Sequence, residues 1–232
     1  MVGRILQLDH TRRLGHGEVY ALALGCLTLP QGFEARAVDF PDPPATESLV
    51  MLLKPRLTLV IGGARSGKSR YAEQLASSIP PPWTYVATAQ AFDDEMRLRI
   101  VEHQSRRDAS WQTVEAPINL ADAITAIAKP DHLILIDCLT LWLSNIMLSD
   151  LDVATSSDQL IGALKRSPSP IIVVSNEVGL GIVPDTPLGR RFRDAQGWLN
   201  QGVAAIADRV VLMTAGIPLI IKDSARSSQQ HS

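Results

Sequence analysis

The sequence predicts an α/β protein built on a doubly wound, mostly parallel sheet, and three observations carry that expectation. Short β-branched or leucine-rich runs alternate with stretches of helical period over most of the chain. One such run, H-L-I-L-I-D at 132–137, is apolar almost without interruption, as suits a strand covered on both faces. Another, L-T-L-V-I at 57–61, leads straight into glycines and then a helical stretch. That order lets a parallel sheet present backbone N–H groups to a bound anion.

The totals agree with this class and exclude others. The chain has 232 residues, 46% of them apolar and 20% charged, which predicts one ordinary α/β domain with a buried core and room for an appendage. Its 22 basic and 24 acidic residues leave a net charge of −2 and no basic stripe, which argues against a nucleic-acid partner. Cys26 and Cys138 are too far apart in sequence for a metal motif and too few for a disulfide framework, so a reducing cytoplasm is expected. No apolar run reaches the length of a membrane span, and the N-terminus lacks the features of a signal peptide, so no membrane insertion is expected.

Residues 1–50 show little period and end in P-D-P-P-A-T. Weak strands near Val19 to Thr28 and Phe33 to Asp39 are the most that can be expected there. Residues 1–54 therefore read as a poorly structured extension, with Met51 an alternative start, or else as a small accessory lobe. The main domain is expected over 55–223, followed by a frayed tail over 224–232.

Within that domain the strand at 57–61 is followed by a helix over 69–78 and a strand over 84–88. A helix over 92–106 opens with Asp93, Asp94 and Glu95 and closes near Arg106 and Arg107, charges placed to suit its dipole. Next come a strand at 111–115, a helix at 119–128, the buried strand at 132–137 and another at 170–175. A long helix over 187–207 precedes a small C-terminal strand pair turning at a glycine.

The segment Gly62, Gly63, Ala64, Arg65, Ser66, Gly67, Lys68, Ser69 has the Walker A spacing, with the strand before it and the helix after it that such a loop requires. Its amides suit phosphate, Lys68 the β- and γ-phosphates, and the Ser69 hydroxyl a Mg²⁺ ion carried with ATP or GTP. Asp137 ends the buried strand, where a carboxylate can serve the same metal. Cys138 beside it reads as packing.

His103 shares a helical face with Ile100 and Met96, which fits a core histidine. An imidazole near a triphosphate can also attack phosphorus and carry the transferred group. Arg99, Arg106 and Arg107 can neutralise phosphate or simply face solvent. The residues alone leave both readings open.

Eight motifs recur in one order: G-G-A-R-S-G-K-S, A-T-A-Q, D-D-E-M-R-x-R-I, W-x-T-x-E-A-P, D-C-L-T-L-W-L-S-N, S-N-E-V-G-L-G-I-V-P, R-F-R-D-x-x-G-x-x-N-Q and A-G-I-P-L-x-I-K. Together they resemble the bifunctional adenosylcobinamide kinase/adenosylcobinamide-phosphate guanylyltransferase family of cobalamin biosynthesis, from about Leu57 to Lys222. The resemblance implies a RecA-like P-loop NTPase fold and a homotrimer. It also implies two reactions: phosphorylation of adenosylcobinamide by ATP or GTP, then GMP transfer from GTP through a histidine. His103 is the one histidine in the corresponding helix, so the resemblance selects it as catalytic beside Lys68.

The resemblance further implies that Thr88, Ala89 and Gln90 line the nucleotide site and that Gln104, Ser105, Arg106 and Arg107 hold GTP phosphates. Glu115 would contact the guanosine. Asn176 and Glu177 belong to the substrate or magnesium side, and Asn200 and Gln201 read as packing. Two other readings compete: a plain small-molecule kinase with His103 structural, and a nucleotide-driven switch acting on a partner. Covalent labelling of the histidine separates the first of these from the bifunctional enzyme.

Overall fold

The computed structural model describes residues 55–90 and 108–224. Seven strands lie in one sheet: β1 (Leu57–Gly62), β2 (Trp83–Ala87), β3 (Trp111–Glu115), β4 (Leu133–Asp137), β5 (Ile171–Asn176), β6 (Arg209–Thr214) and β7 (Ile217–Asp223). Their order is β3-β2-β4-β5-β1-β6-β7, and every pairing is parallel except β6 with β7. The described helices are α1 (Lys68–Ala76), α2 (Leu120–Ile127), α3 (Leu139–Leu148), α4 (Val153–Arg166) and α5 (Pro187–Ile206).

Alternation along each central strand divides its side chains between two cores. Leu57, Leu59, Ile134, Ile136, Ile171 and Val173 pack with α2, α3, α4 and α5 through Leu120, Trp142, Leu160 and Leu199. Val60, Leu133, Leu135, Ile172 and Val174 turn the other way, onto Ala72 and Ala76 of α1. Both faces of the sheet are therefore covered, as the unbroken apolar runs require. This is the expected doubly wound P-loop architecture.

Parallel pairing brings the carboxyl ends of six strands, β1 through β6, to one edge. Gly62 pairs with Asn176, Ala87 with Asp137, and Ala87 also with Glu115. Because β5 lies between β1 and β4, the loop strand and the acid-bearing strand sit one strand apart. Open α/β sheets bind ligands at such an edge.

Within the described residues the expected elements match within a residue or two, and two further helices, α3 and α4, are present. The segment of α3, L-T-L-W-L-S-N-I-M-L, is nearly uniform in apolarity and carries no side-chain cap, so it shows neither amphipathic contrast nor a start signal. Its buried positions, Leu139, Trp142, Leu143 and Ile146, nonetheless follow helical spacing. For α4 the start signal exists: Asp152 accepts a hydrogen bond from Thr155 N at 2.6 Å, and Leu160, Ala163 and Leu164 form the buried face.

The closing hairpin turns on Ala215 and Gly216, with φ of 52° and 81°. Two consecutive positive φ values suit the tight hairpin loop whose twist matches its strands. Beyond it, β7 leaves Ile217, Leu219, Ile220 and Ile221 exposed. The expected N-terminal strands, the helix over 92–106 and the tail from 225 lie outside the described residues.

Candidate nucleotide site

The phosphate loop departs from β1 at Gly62, whose φ is 156°. A Cβ there would overlap the Met213 carbonyl oxygen on β6 and crowd Ser66 Oγ, so only glycine allows β6 to approach so closely. At the other end Gly67 takes φ 93°, a left-handed conformation, and caps α1. Gly63, Ala64 and Arg65 are exposed, while Ser66, Gly67 and Ser69 are half-buried. The loop thus opens backbone and helix N-terminus to solvent at the sheet edge, the arrangement that receives an anion.

Lys68 is buried, 7% exposed, and its Nζ donates to the Gly63 carbonyl at 2.6 Å. Burial lowers its pKa, opposed by the nearby Cys138 and Asp137. An ammonium folded back on its own loop in this way is poised to exchange a carbonyl for a phosphate oxygen. Asp137 lies half-buried at the end of β4. The next residue, Cys138, is buried, and desolvation pushes its thiol up to about 12, so it is a neutral packing group at ordinary pH.

Thr88 is fully buried. Its hydroxyl donates to Cys138 O at 2.7 Å and accepts from Cys138 N at 2.8 Å. The resemblance places Thr88 on the nucleotide; in the fold its hydroxyl clamps the peptide that follows Asp137. Ala89 and Gln90 are half-buried just beyond it. Glu115 is exposed and lines an open groove of about 490 Å³ with Pro117, Ile118, Asn119 and Asp122.

The β5 end is fixed from three sides. Asn176 N donates to Thr140 Oγ1 at 2.8 Å, Asn200 Nδ2 donates to Asn176 O at 3.0 Å, and Glu177 N donates to Gly62 O at 3.0 Å. Asn200 Oδ1 also accepts from Ser175 Oγ at 2.7 Å and from Gln196 Nε2 at 3.0 Å. Asn200 is therefore more than packing: it belongs to a buried polar network at the end of β5, the strand beside β1. Arg190 spends its Nη1 on the carbonyls of Pro184 and Asp185, and Arg193 pairs with Asp194 at 3.0 Å.

The fold thus brings Gly62 through Ser69, Asp137, Ala89, Gln90 and Glu115 to one edge of the sheet. His103, Gln104, Ser105, Arg106 and Arg107 lie outside the described residues. The support that Thr140 gives Asn176, that Asn145 Nδ2 gives the Thr88 carbonyl and that Trp142 Nε1 gives the Ile118 carbonyl does not show in the sequence pattern. A single asparagine inside an apolar run is the one available signal, since buried amides must find partners.

Known proteins match the chain over this same region. The model of the cobinamide kinase / cobinamide phosphate guanyltransferase family matches residues 58–221. A bifunctional adenosylcobalamin biosynthesis protein CobP of Pseudomonas aeruginosa is 46% identical over 166 residues, covering 71% of this chain and 96% of that relative. Proteins of the same description named CobU, from Salmonella typhimurium and Escherichia coli, are 41% and 39% identical over 181 residues, each covering 72% of this chain and 99% of the relative.

Proposed function

The chain belongs to the cobinamide kinase / cobinamide phosphate guanyltransferase family, and on that premise we infer that one triphosphate site serves two successive reactions. In the first, the hydroxyl of the aminopropanol arm of adenosylcobinamide attacks the γ-phosphorus of ATP or GTP. A new O–P bond forms, and the nucleoside diphosphate leaves. In the second, the His103 imidazole attacks the α-phosphorus of GTP, forming an N–P bond and releasing pyrophosphate. The phosphate of the first product then displaces the histidine, giving adenosylcobinamide-GDP. The observation that carries this reading is the strand–loop–helix with Lys68 buried inside it, at the same sheet edge as Asp137, within the matched region.

Each step accumulates negative charge on non-bridging oxygens, and fixed donors stabilise it without reorganising. The amides of Gly63 through Ser69 hold the phosphates, and Lys68 exchanges its Gly63 contact for a phosphate oxygen. The hydroxyl of Ser69 and the carboxylate of Asp137 supply the hard oxygen donors that Mg²⁺ prefers. Magnesium bound there would neutralise phosphate charge and orient the reacting group. His103 supplies the nucleophile, and Gln104, Ser105, Arg106 and Arg107 follow it closely enough in sequence to meet the GTP phosphates. Glu115 opens on the groove assigned to guanosine.

The enzyme is read as a cytoplasmic homotrimer. The exposed apolar residues of β7 and Trp198, 71% exposed on α5, support self-association. Among the described residues no helix is long and apolar enough to cross a membrane.

Incubation with Mg²⁺ and GTP labelled at the α-phosphorus tests the covalent step. Label should remain on the denatured chain, acid-labile and base-stable, and disappear in His103→Ala. Absence of label while GTP still binds would leave a plain kinase acting on the corrinoid.

A further inference from the structure

The phosphate loop and the groove beside Glu115 stand on separate segments, and α3 ties the supports of both together. Asn145 is buried, 4% exposed, among the apolar residues of that helix. Its Nδ2 donates to Thr88 O at 2.8 Å and to Pro117 O at 3.1 Å. One turn earlier, Trp142 Nε1 donates to Ile118 O at 2.8 Å. Thr88 in turn clamps Cys138, and Ala116 N donates to Ala87 O at 2.8 Å. A single amide thus joins the end of β2, which braces the Asp137–Cys138 peptide, to the loop that floors the groove.

The chemistry of that groove is acidic. Glu115 and Asp122 line it together with Asn119. Guanine offers N1–H and N2–H₂ donors on one edge, which a carboxylate accepts in pairs. Adenine presents a lone pair at N1, so a carboxylate placed for guanine rejects it. Discrimination of this kind fails if the carboxylates shift relative to the phosphates, because the base is then held out of register.

We propose that Asn145 is a positioning residue for base selection: by bridging the Thr88 and Pro117 carbonyls, it holds the Glu115 groove at the spacing that admits guanine while the phosphates occupy the loop at 62–69. The assignment of the groove to the base rests on the function proposed above. Asn145 touches no substrate and acts through the two loops it joins.

Asn145→Asp keeps the shape but replaces two donors with acceptors facing carbonyls, and Asn145→Leu keeps the volume without polarity. Titration of the full-length chain with Mg²⁺ and GTP, ATP or inorganic tripolyphosphate reads the effect. Both variants should weaken GTP by about tenfold or more, with ATP and tripolyphosphate changed less than about twofold. Asn145→Ser removes the bridge with a smaller lesion and should show the same selective loss if the other two variants fail to fold. Equal losses for all three ligands, no loss for any, or parent protein that binds GTP and ATP alike would each overturn the proposal. Failure of the enzymatic reading would show differently, as parent protein that binds GTP selectively but forms neither labelled chain nor corrinoid product.

Discussion

Lys68, proposed above to hold phosphate, is also a stability liability. Burial lowers its pKa, so the folded state prefers the neutral amine more than the unfolded chain does. Between the folded value and the ordinary 10.5 the unfolded chain binds more protons, so stability rises with pH through that window. The Cys138 thiol acts the other way above 9, since its raised pKa keeps it protonated only in the folded state, so the lysine shows as a difference: relative to Lys68→Met, the nucleotide-free parent should gain resistance to urea as the pH climbs toward 10.5. The same substitution should lower turnover by about 10²-fold or more, since it deletes a charge aimed at the transferring phosphate. At this scale the sequence is informative where spacing carries meaning: Gly62, Gly67, Lys68 and Ser69 fall where their pattern puts them. It is uninformative where a side chain serves groups brought from elsewhere in the chain: Asn145 differs from a packing residue through the carbonyls of Thr88 and Pro117, and Asn200 through the Asn176 carbonyl and the Ser175 hydroxyl.

Elements differ in how their ends are held. The α4 cap depends on a charge: its hydrogen bonds with Thr155 hold the Asp152 carboxyl below its usual pKa. Its contribution is complete above the unfolded value of 3.8 and is lost as the pH falls through the folded one. Asp152→Asn keeps an acceptor but removes the titration, so its unfolding midpoint should fall less steeply under acid than the parent's. The two helices that the sequence does not announce are hidden for opposite reasons. In α3 every turn is apolar, because it packs under the sheet among the other helices of that face. The α4 segment, V-A-T-S-S-D-Q-L, is polar enough in its first two turns to pass for a loop until its apolar face is counted. The strands are easier to see, since an unbroken β-branched run bounded by breakers suits a covered strand and little else.

At the scale of the whole molecule, exposed apolar surface gathers on β7, at one edge of the sheet. Monomeric proteins usually blunt such an edge with charge. If the proposed trimer uses this edge, Leu219→Lys or Ile221→Lys should lower the particle mass in light scattering toward that of a monomer, while the circular-dichroism spectrum of the folded chain persists. The central position of β1 has a consequence for biosynthesis. Its hydrogen-bonding neighbours are β5, at 171–176, and β6, at 209–214. On the ribosome, β1 emerges before any other strand of the sheet and waits for two partners that follow it far along the sequence. Loop closure over that span is slow. Throughout that wait L-T-L-V-I-G is an apolar strand without its sheet neighbours, and the glycine loop it carries is fixed in place only once both have been made.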